Sequence, residues 1–545
     1  MRGKSHSHLL IWISAIICCV LAVGITLRCN AQRNSLPEGF KPFAIPSAPE
    51  SRATPYLNPT PGEFPLMGIG SCNGVTYYSE QLLNDYHECG LNIAENILKF
   101  NKEDVINHRG EIFSSLKNAQ KTGMKLMIRV LNERFIFSPK PDLLSLDNDW
   151  IQKISAEAPL INPQNKRWTK PNGLYDAWET VIRNIFSDTC DYRPAIAGWM
   201  IDDEPTLSMF WYTAECKARM QRVLAECGAP DDLIFINLYK DDFTKKNAGD
   251  NLSGNMNSLP DGFLKGYRKL KDYNDFINRY IRIVNPSLLS FDAYPTDERF
   301  SGLRNNTIDF YNSLETISSK RLTMGLPFWS TVLTCGIMNG KKVVSLPTIG
   351  DIRFQAYAAI GAGAQGLSFW RIGQTPRKTS YGTLLYPDSP IALDGSRTPA
   401  FAMVKEVCHE IKKYQHIFLN ADLKDLKYTK LPPHTRLATK KKVGINPAMI
   451  RNKNIGLIKK IEKQGAGLLV GTFIYDSTPY TVIVNMDIYS SQQCDMQFKS
   501  PVQDVTDNLR TYPSAEPTVS LTLRPGDWRI FRSQPTPPRQ TNSPR

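Results

Sequence analysis

The chain has 545 residues, too many for one ordinary domain, and its apolar and charged fractions are those of a globular protein rather than a disordered one. A net charge of +14 at pH 7 admits an anionic partner, such as an acidic glycan or a membrane surface. The basic residues are scattered and no zinc-finger, RNA-recognition or helix-turn-helix pattern occurs, which argues against nucleic-acid recognition.

Residues 1–31 read as an export signal. Arg2 and Lys4 precede an apolar run from Leu9 to Leu27, and Cys29-Asn30-Ala31 offers small residues to a signal peptidase. The run is long for a signal core and near the lower limit of a membrane span, so an uncleaved anchor is the alternative. The expected location is the periplasm, the cell surface or the medium. Residues 32–64, rich in Pro and Ser and without a period, read as a linker and strap.

From residue 65 to 418 a short apolar strand and a helix-period segment alternate. The predicted strands are Leu66–Gly70, Leu91–Asn96, Met124–Asn132, Ala195–Glu204, Leu233–Tyr239, Leu288–Tyr294, Leu326–Thr331 and Gln365–Arg371. The predicted helices include Glu80–Cys89, Tyr175–Ser187, Met209–Ala225, Tyr273–Val284, Ile308–Ser318, Ile352–Ile360 and Ala400–His416. Such alternation predicts an α/β fold, a (β/α)8 TIM barrel, with the excess length in loops at the carboxyl face. An open doubly wound sheet is the competitor. The glycines of Gly68-Ile69-Gly70-Ser71-Cys72-Asn73-Gly74 have the wrong spacing for its phosphate loop, and no nucleotide cofactor is expected. Residues 419–532 lose the helix period and read as a small C-terminal β-sandwich, with strands over 467–475, 480–486, 494–498, 519–523 and 526–531. Residues 533–545 read as a disordered tail.

Eleven cysteines contain no close CxxC pair, and the seven histidines are dispersed, so no metal is expected and buried free thiols are. The chemistry concentrates in Ala195-Ile196-Ala197-Gly198-Trp199-Met200-Ile201-Asp202-Asp203-Glu204-Pro205, an apolar run that ends in three acids. Acids at the carboxyl end of a barrel strand sit at the mouth, where acetal hydrolysis needs carboxyl groups. An acidic turn that caps the next helix is the plainer reading. Strand alternation places Met200, Asp202 and Glu204 on one face; Asp203 joins Glu204 only if the chain kinks. Asp292, with Tyr294, ends strand six and suits base catalysis, or else bonds neighbouring loops. Asn132 and Glu133 end strand three, where Glu133 is a second acid or the partner of Arg134 or Arg129. Tyr239, Tyr294, Trp329 and Trp370 cluster at strand ends, where aromatic rings stack on sugar CH faces or simply fill the core. Asn237 and Arg371 add hydrogen-bond donors.

Over roughly residues 65–530 the chain resembles the barrel glycoside hydrolases of the superfamily that includes many β-galactosidases and related exo-enzymes. The resemblance rests on Gly198–Pro205 and on Phe291-Asp292-Ala293-Tyr294-Pro295. It also rests on the Ala/Gly-rich stretch Gln355–Gly366 and on Asp394-Gly395. It implies an exported hydrolase with a carbohydrate partner, with Glu204 as acid/base and Asp203 where the family has Asn. The family nucleophile, a Glu on strand seven, is absent from Leu326–Thr334. Three readings follow. In the first, Glu204 works with Asp292 or Glu133 in an inverting mechanism. In the second, the Asp203–Glu204 pair works with the substrate's own acetamido group, as in barrel hexosaminidases. The third is a non-catalytic carbohydrate-binding protein. A surface protein that uses both domains as spacers is the alternative of another class.

Overall fold

The computed structural model describes residues 56–70, 77–97, 109–129, 182–183, 186, 190–205, 210–240, 272–295, 308–339, 342–344, 346–374, 377–379, 382–384, 386–430, 449–462, 464–513 and 518–534. The leader, most of the linker, the 175–187 helix apart from three of its residues, and the tail apart from Ser533, which ends a strand, and Gln534 lie outside these. Among the described residues no helix is long and apolar enough to cross a membrane.

Eight strands close into a barrel: β1 (Leu66–Ile69), β2 (Ile93–Ile97), β3 (Lys125–Arg129), β4 (Ile196–Asp203), β5 (Leu233–Tyr239), β6 (Leu289–Asp292), β7 (Phe328–Leu333) and β8 (Leu367–Trp370). Each pairs in parallel with the next, and β8 returns to β1. The two-residue period of the strands divides their side chains. Trp199, Ile201, Phe291, Val332 and Phe369 face the helices and join the large core. Met67, Ile93, Met127, Met200, Phe235 and Trp329 fill the interior as a packed floor, so the barrel is not a pore.

The helices are α1 (Glu80–Glu88), α2 (Arg109–Thr122), α3 (Phe210–Glu226), α4 (Tyr273–Val284), α5 (Ile308–Met324), α6 (Ile349–Gly361) and α7 (Pro399–Phe418). In α4, Tyr273, Phe276, Ile277, Tyr280 and Val284 recur at helical spacing and are all buried. Each such side chain contributes about 1.5–3 kcal/mol when removed from water. Asp272 caps the start by accepting the Asp275 N–H at 2.9 Å, and Asn285 ends the helix in the left-handed conformation. At α6, Thr348 and Asp351 form a reciprocal capping box. Helix α5 runs on to Met324, past the Ser318 at which the sequence pattern ends it.

Among the described residues, ten further strands form two antiparallel sheets after the barrel. The six-stranded one includes β9 (Asp422–Tyr428) and, later in the chain, residues 468–475, 478–485, 502–504, 510–512 and 528–533. The four-stranded one is built from residues 453–455, 458–462, 492–498 and 519–523. The α/β barrel and the β-sandwich are thus both present, the sandwich with more strands than its sequence pattern reveals. The two domains share one core. Trp528 of the sandwich stacks on Tyr357 of α6 at 4.2 Å and on Phe418 of α7 at 5.5 Å. Helix α6 is buried from Gly350 to Gly361, with β7 on one side and the six-stranded sheet on the other. Backbones meet there directly: a Cβ on Gly471 would overlap the Gly361 carbonyl oxygen. Cys89, Cys216, Cys335, Cys408 and Cys494 are buried free thiols, and Cys227 is a half-buried one.

Candidate active site

Above the apolar floor, the next inward positions turn polar. They are Glu95 of β2, Arg129 of β3, Asp203 of β4, Asn237 of β5, Ser290 of β6 and Thr331 of β7. The first five form a continuous chain of contacts across neighbouring strands. Arg129 bonds Glu95 Oε1 through Nη1 at 3.1 Å and Asp203 Oδ2 through Nη2 at 3.1 Å. Asn237 Nδ2 donates to Asp203 Oδ1 at 3.3 Å, and Ser290 Oγ donates to Asn237 Oδ1 at 3.0 Å. Glu95 is 1% exposed and Arg129 9%, whereas the Asp203 side chain, nearer the mouth, is 26% exposed. Burial alone would depress the Arg129 guanidinium, but Asp203 and Glu95 overcome it and hold its pKa above the ordinary value.

Strand β4 departs from simple alternation, and this decides which acid reaches the interior. Its pairing with β5 runs from Met200 opposite Phe235 to Asp202 opposite Ile236 and Asp203 opposite Asn237, a β-bulge. Ile201 packs with the helices, and Asp202 faces the same way, accepting a hydrogen bond from Thr213 Oγ1 of α3 at 2.6 Å. Asp203 therefore points inward and Asp202 outward, the reverse of their positions in an unbroken strand. The chain does kink here, at this bulge. Glu204 follows immediately, half-buried, at φ 57, and its N–H donates to the Asn237 carbonyl at 2.7 Å. A non-glycine residue in that region costs roughly 1–2 kcal/mol and persists where the surroundings enforce it.

Asp292 ends β6, half-buried, in register with Tyr239 of β5 and Thr331 of β7. Strands β4 and β6 are two apart, with β5 between them. Strand β7 carries Phe328-Trp329-Ser330-Thr331-Val332-Leu333, with Thr331 at the inward rim position and no carboxylate.

The remaining residues divide. Trp370 is half-buried at the end of β8, edge-on to Tyr386 at 5.6 Å. The Arg371 guanidinium lies 5.6 Å from the Trp370 ring and 5.3 Å from the Tyr386 ring, and its Nε donates to the Gly373 carbonyl at 2.7 Å. It crosses so close over Gly70 that a Cβ there would stand 2.7 Å from it. Tyr239 is half-buried at the rim, its carbonyl accepting from the Tyr273 hydroxyl at 2.9 Å. Three of the expected platform or donor residues stand in packed surroundings. Trp329 is fully buried in the floor, against Phe235 at 5.4 Å and with its indole N–H on Tyr56 at 3.2 Å, because it stands one layer below the rim. Tyr294 packs with Leu333, Cys335, Ile337 and Tyr386 instead of standing clear. Asn237 is 5% exposed, its side chain bridging Asp203 and Ser290 within the wall. Asn132 and Glu133 lie outside the described residues.

Glu95 is the member of this site that sequence reasoning passed over, and Arg129 entered it only as a partner for Glu133. The signal was an acid at an inward position of an otherwise apolar strand, Ile93-Ala94-Glu95-Asn96, two residues from the floor residue Ile93. Among the described residues, no cluster of His, Cys, Asp and Glu could hold a metal ion.

No protein-family model and no curated relative matches the chain. Solved structures with similar architecture are glycoside hydrolases. An α-amylase from Anoxybacillus matches at 10% identity over 87% of this chain and 98% of its own, with a TM-score of 0.46. A β-L-arabinopyranosidase from Geobacillus stearothermophilus matches at 8% over 88% and 98%, TM-score 0.45. A β-galactosidase from the haloarchaeon Halorubrum lacusprofundi matches at 14% over 64% of this chain, TM-score 0.38, and only 58% of that enzyme's length is spanned. The likeness is one of architecture, and no residue role is carried across by it.

Proposed function

We propose that the chain is an exported glycoside hydrolase that cleaves O-glycosidic bonds of an oligo- or polysaccharide, with Glu204 as general acid. The observation that supports this reading is the β4 bulge, which turns Asp203 into the barrel one residue before Glu204. Asp203, charge-paired with Arg129, supplies fixed negative charge for an oxocarbenium-like transition state. With no carboxylate on β7, the second acid is Asp292. Asp292 stands on a strand two away from β4, and this reading requires its carboxyl about 6.5–9.5 Å from that of Glu204, room for one water, not the 5–5.5 Å of a covalent mechanism. Glu204 protonates the departing oxygen while Asp292 takes a proton from the water that attacks the anomeric carbon, so the product has inverted configuration.

The inward turn of Asp203 favours a second reading, in which the carbonyl oxygen of a 2-acetamido group of the substrate attacks the anomeric carbon as the leaving oxygen departs protonated by Glu204; water, deprotonated by Glu204, then opens the cyclic intermediate and configuration is retained. A panel of chromogenic glycosides with and without that group, with the product anomer read by NMR, separates the two. Glu204→Gln should abolish turnover without loss of fold. Undiminished activity in that variant refutes the hydrolase assignment, and sugar binding without turnover in the wild type supports a carbohydrate-binding protein instead. Export is read from residues 1–31 and is tested by cell fractionation.

A further inference from the structure

Asp202 is not at the mouth, yet it touches the backbone that forms it. It is 2% exposed and stands on the helix side of β4. Its Oδ2 accepts from Thr213 Oγ1 at 2.6 Å, and its Oδ1 accepts from the backbone N–H of Asp203 at 2.7 Å. The second bond spans one residue, at the point where the register shifts. At a bulge the extra residue leaves the ladder, so a backbone donor there needs a partner from elsewhere. The Thr213 hydroxyl fixes the carboxylate from α3, a rigid element, and the other oxygen is then aimed at that donor. The phenol of Tyr280 on α4 lies in the same buried region: burial, with the nearby charge of Asp202, raises its pKa well above normal.

We propose that Asp202 is a positioning residue for the reaction. It pins the bulge from behind the strand, and the pinned bulge turns Asp203 inward and holds Glu204 in its left-handed conformation. Without the pin, β4 can relax toward alternation, which sends Asp203 to the helices and swings Glu204 off its aim. The acceptor atom carries this role, not the charge.

This inference rests on the reading of Glu204 as general acid, and the test keeps the two apart. Wild type, Glu204→Gln, Asp202→Ala and Asp202→Asn are assayed as full chains on the chromogenic glycoside that the wild type turns over fastest. Fold is followed by circular dichroism and denaturation. Asp202→Ala should lower kcat about 100-fold, the scale of a misplacement near 1 Å, with KM within about threefold. Asp202→Asn keeps an Oδ1 acceptor and should restore kcat to within about tenfold of wild type. Thr213→Val, which frees the carboxylate from α3, should fall between them. The inference is overturned if Asp202→Ala stays within tenfold of wild type while Glu204→Gln is inactive, or if Asn and Ala at position 202 are equally impaired. Activity surviving in Glu204→Gln sinks the underlying assignment instead.

Discussion

Arg129→Met tests the buried chain of polar contacts most directly. Arg129 is the sole cation of that chain, 3.1 Å from Glu95 and 3.1 Å from Asp203. Methionine keeps much of the side-chain volume and removes the charge and both bonds. Glu95, 1% exposed, is then left as a buried acid facing Asp203 across a neutral residue. Removing one member of a buried ion pair typically costs about 3–5 kcal/mol, because the remaining charge stays desolvated. Asp203 is about a quarter exposed and contributes less to that penalty than Glu95, so the lower half, about 3–4 kcal/mol, is expected. The measurement is urea denaturation of Arg129→Met, Glu95→Gln and the double variant. The double variant should be less destabilised than the sum of the singles by roughly 1–3 kcal/mol, the coupling of groups in one network. Turnover should fall as well, since Asp203 loses the charged bond from Arg129 and keeps the neutral one from Asn237. A loss below about 1 kcal/mol for Arg129→Met, or strict additivity in the cycle, refutes the reasoning.

Two further perturbations probe other parts of the molecule. Burial lowers the Lys217 ammonium on α3 from 10.5 to about 8. The folded value lies below the unfolded one, so the stability of the neutral form is full above pH 10.5 and is lost as pH falls through 8. Lys217→Met should therefore stabilise the protein at pH 7 by up to about 3 kcal/mol, with the gain shrinking between pH 8 and 10.5; a pH-independent difference in denaturation midpoint contradicts this. Gly471→Ala drives a methyl group into the Gly361 carbonyl and should cost about 1–3 kcal/mol, read as a lowered melting temperature. An unchanged melting temperature would mean that helix and sheet are not in direct contact there.

The barrel was legible because its strands are short apolar runs separated by helix-period segments, and length arbitrates between the two. Local alternation failed where tertiary register intervenes. Nothing in Met200-Ile201-Asp202-Asp203 reveals a bulge, because the skipped residue is defined by pairing with Phe235, Ile236 and Asn237 on another strand. The same cause hid β9, the first sandwich strand. Its buried residues, Leu423, Leu426 and Tyr428, are spaced three and then two apart, since a register shift between Leu423 and Asp425 breaks the period. Trp329 misled for a different reason. Sequence gives the face of a strand residue but not its height along the barrel axis, and one layer separates a buried floor from an open mouth.

Helix α6 carries a consequence for how the chain is made. It is covered by barrel on one side and by sandwich on the other, and it buries Ile352, Phe354, Tyr357 and Ile360 among its alanines and glycines. During synthesis the barrel leaves the ribosome first, and domains ordinarily fold in that order. Here the residues that cover α6, from Leu469 to Trp528, emerge more than a hundred positions after it. The nascent barrel must wait with this segment uncovered until the carboxyl-terminal sheets arrive, which ties maturation of the mouth to completion of the whole chain.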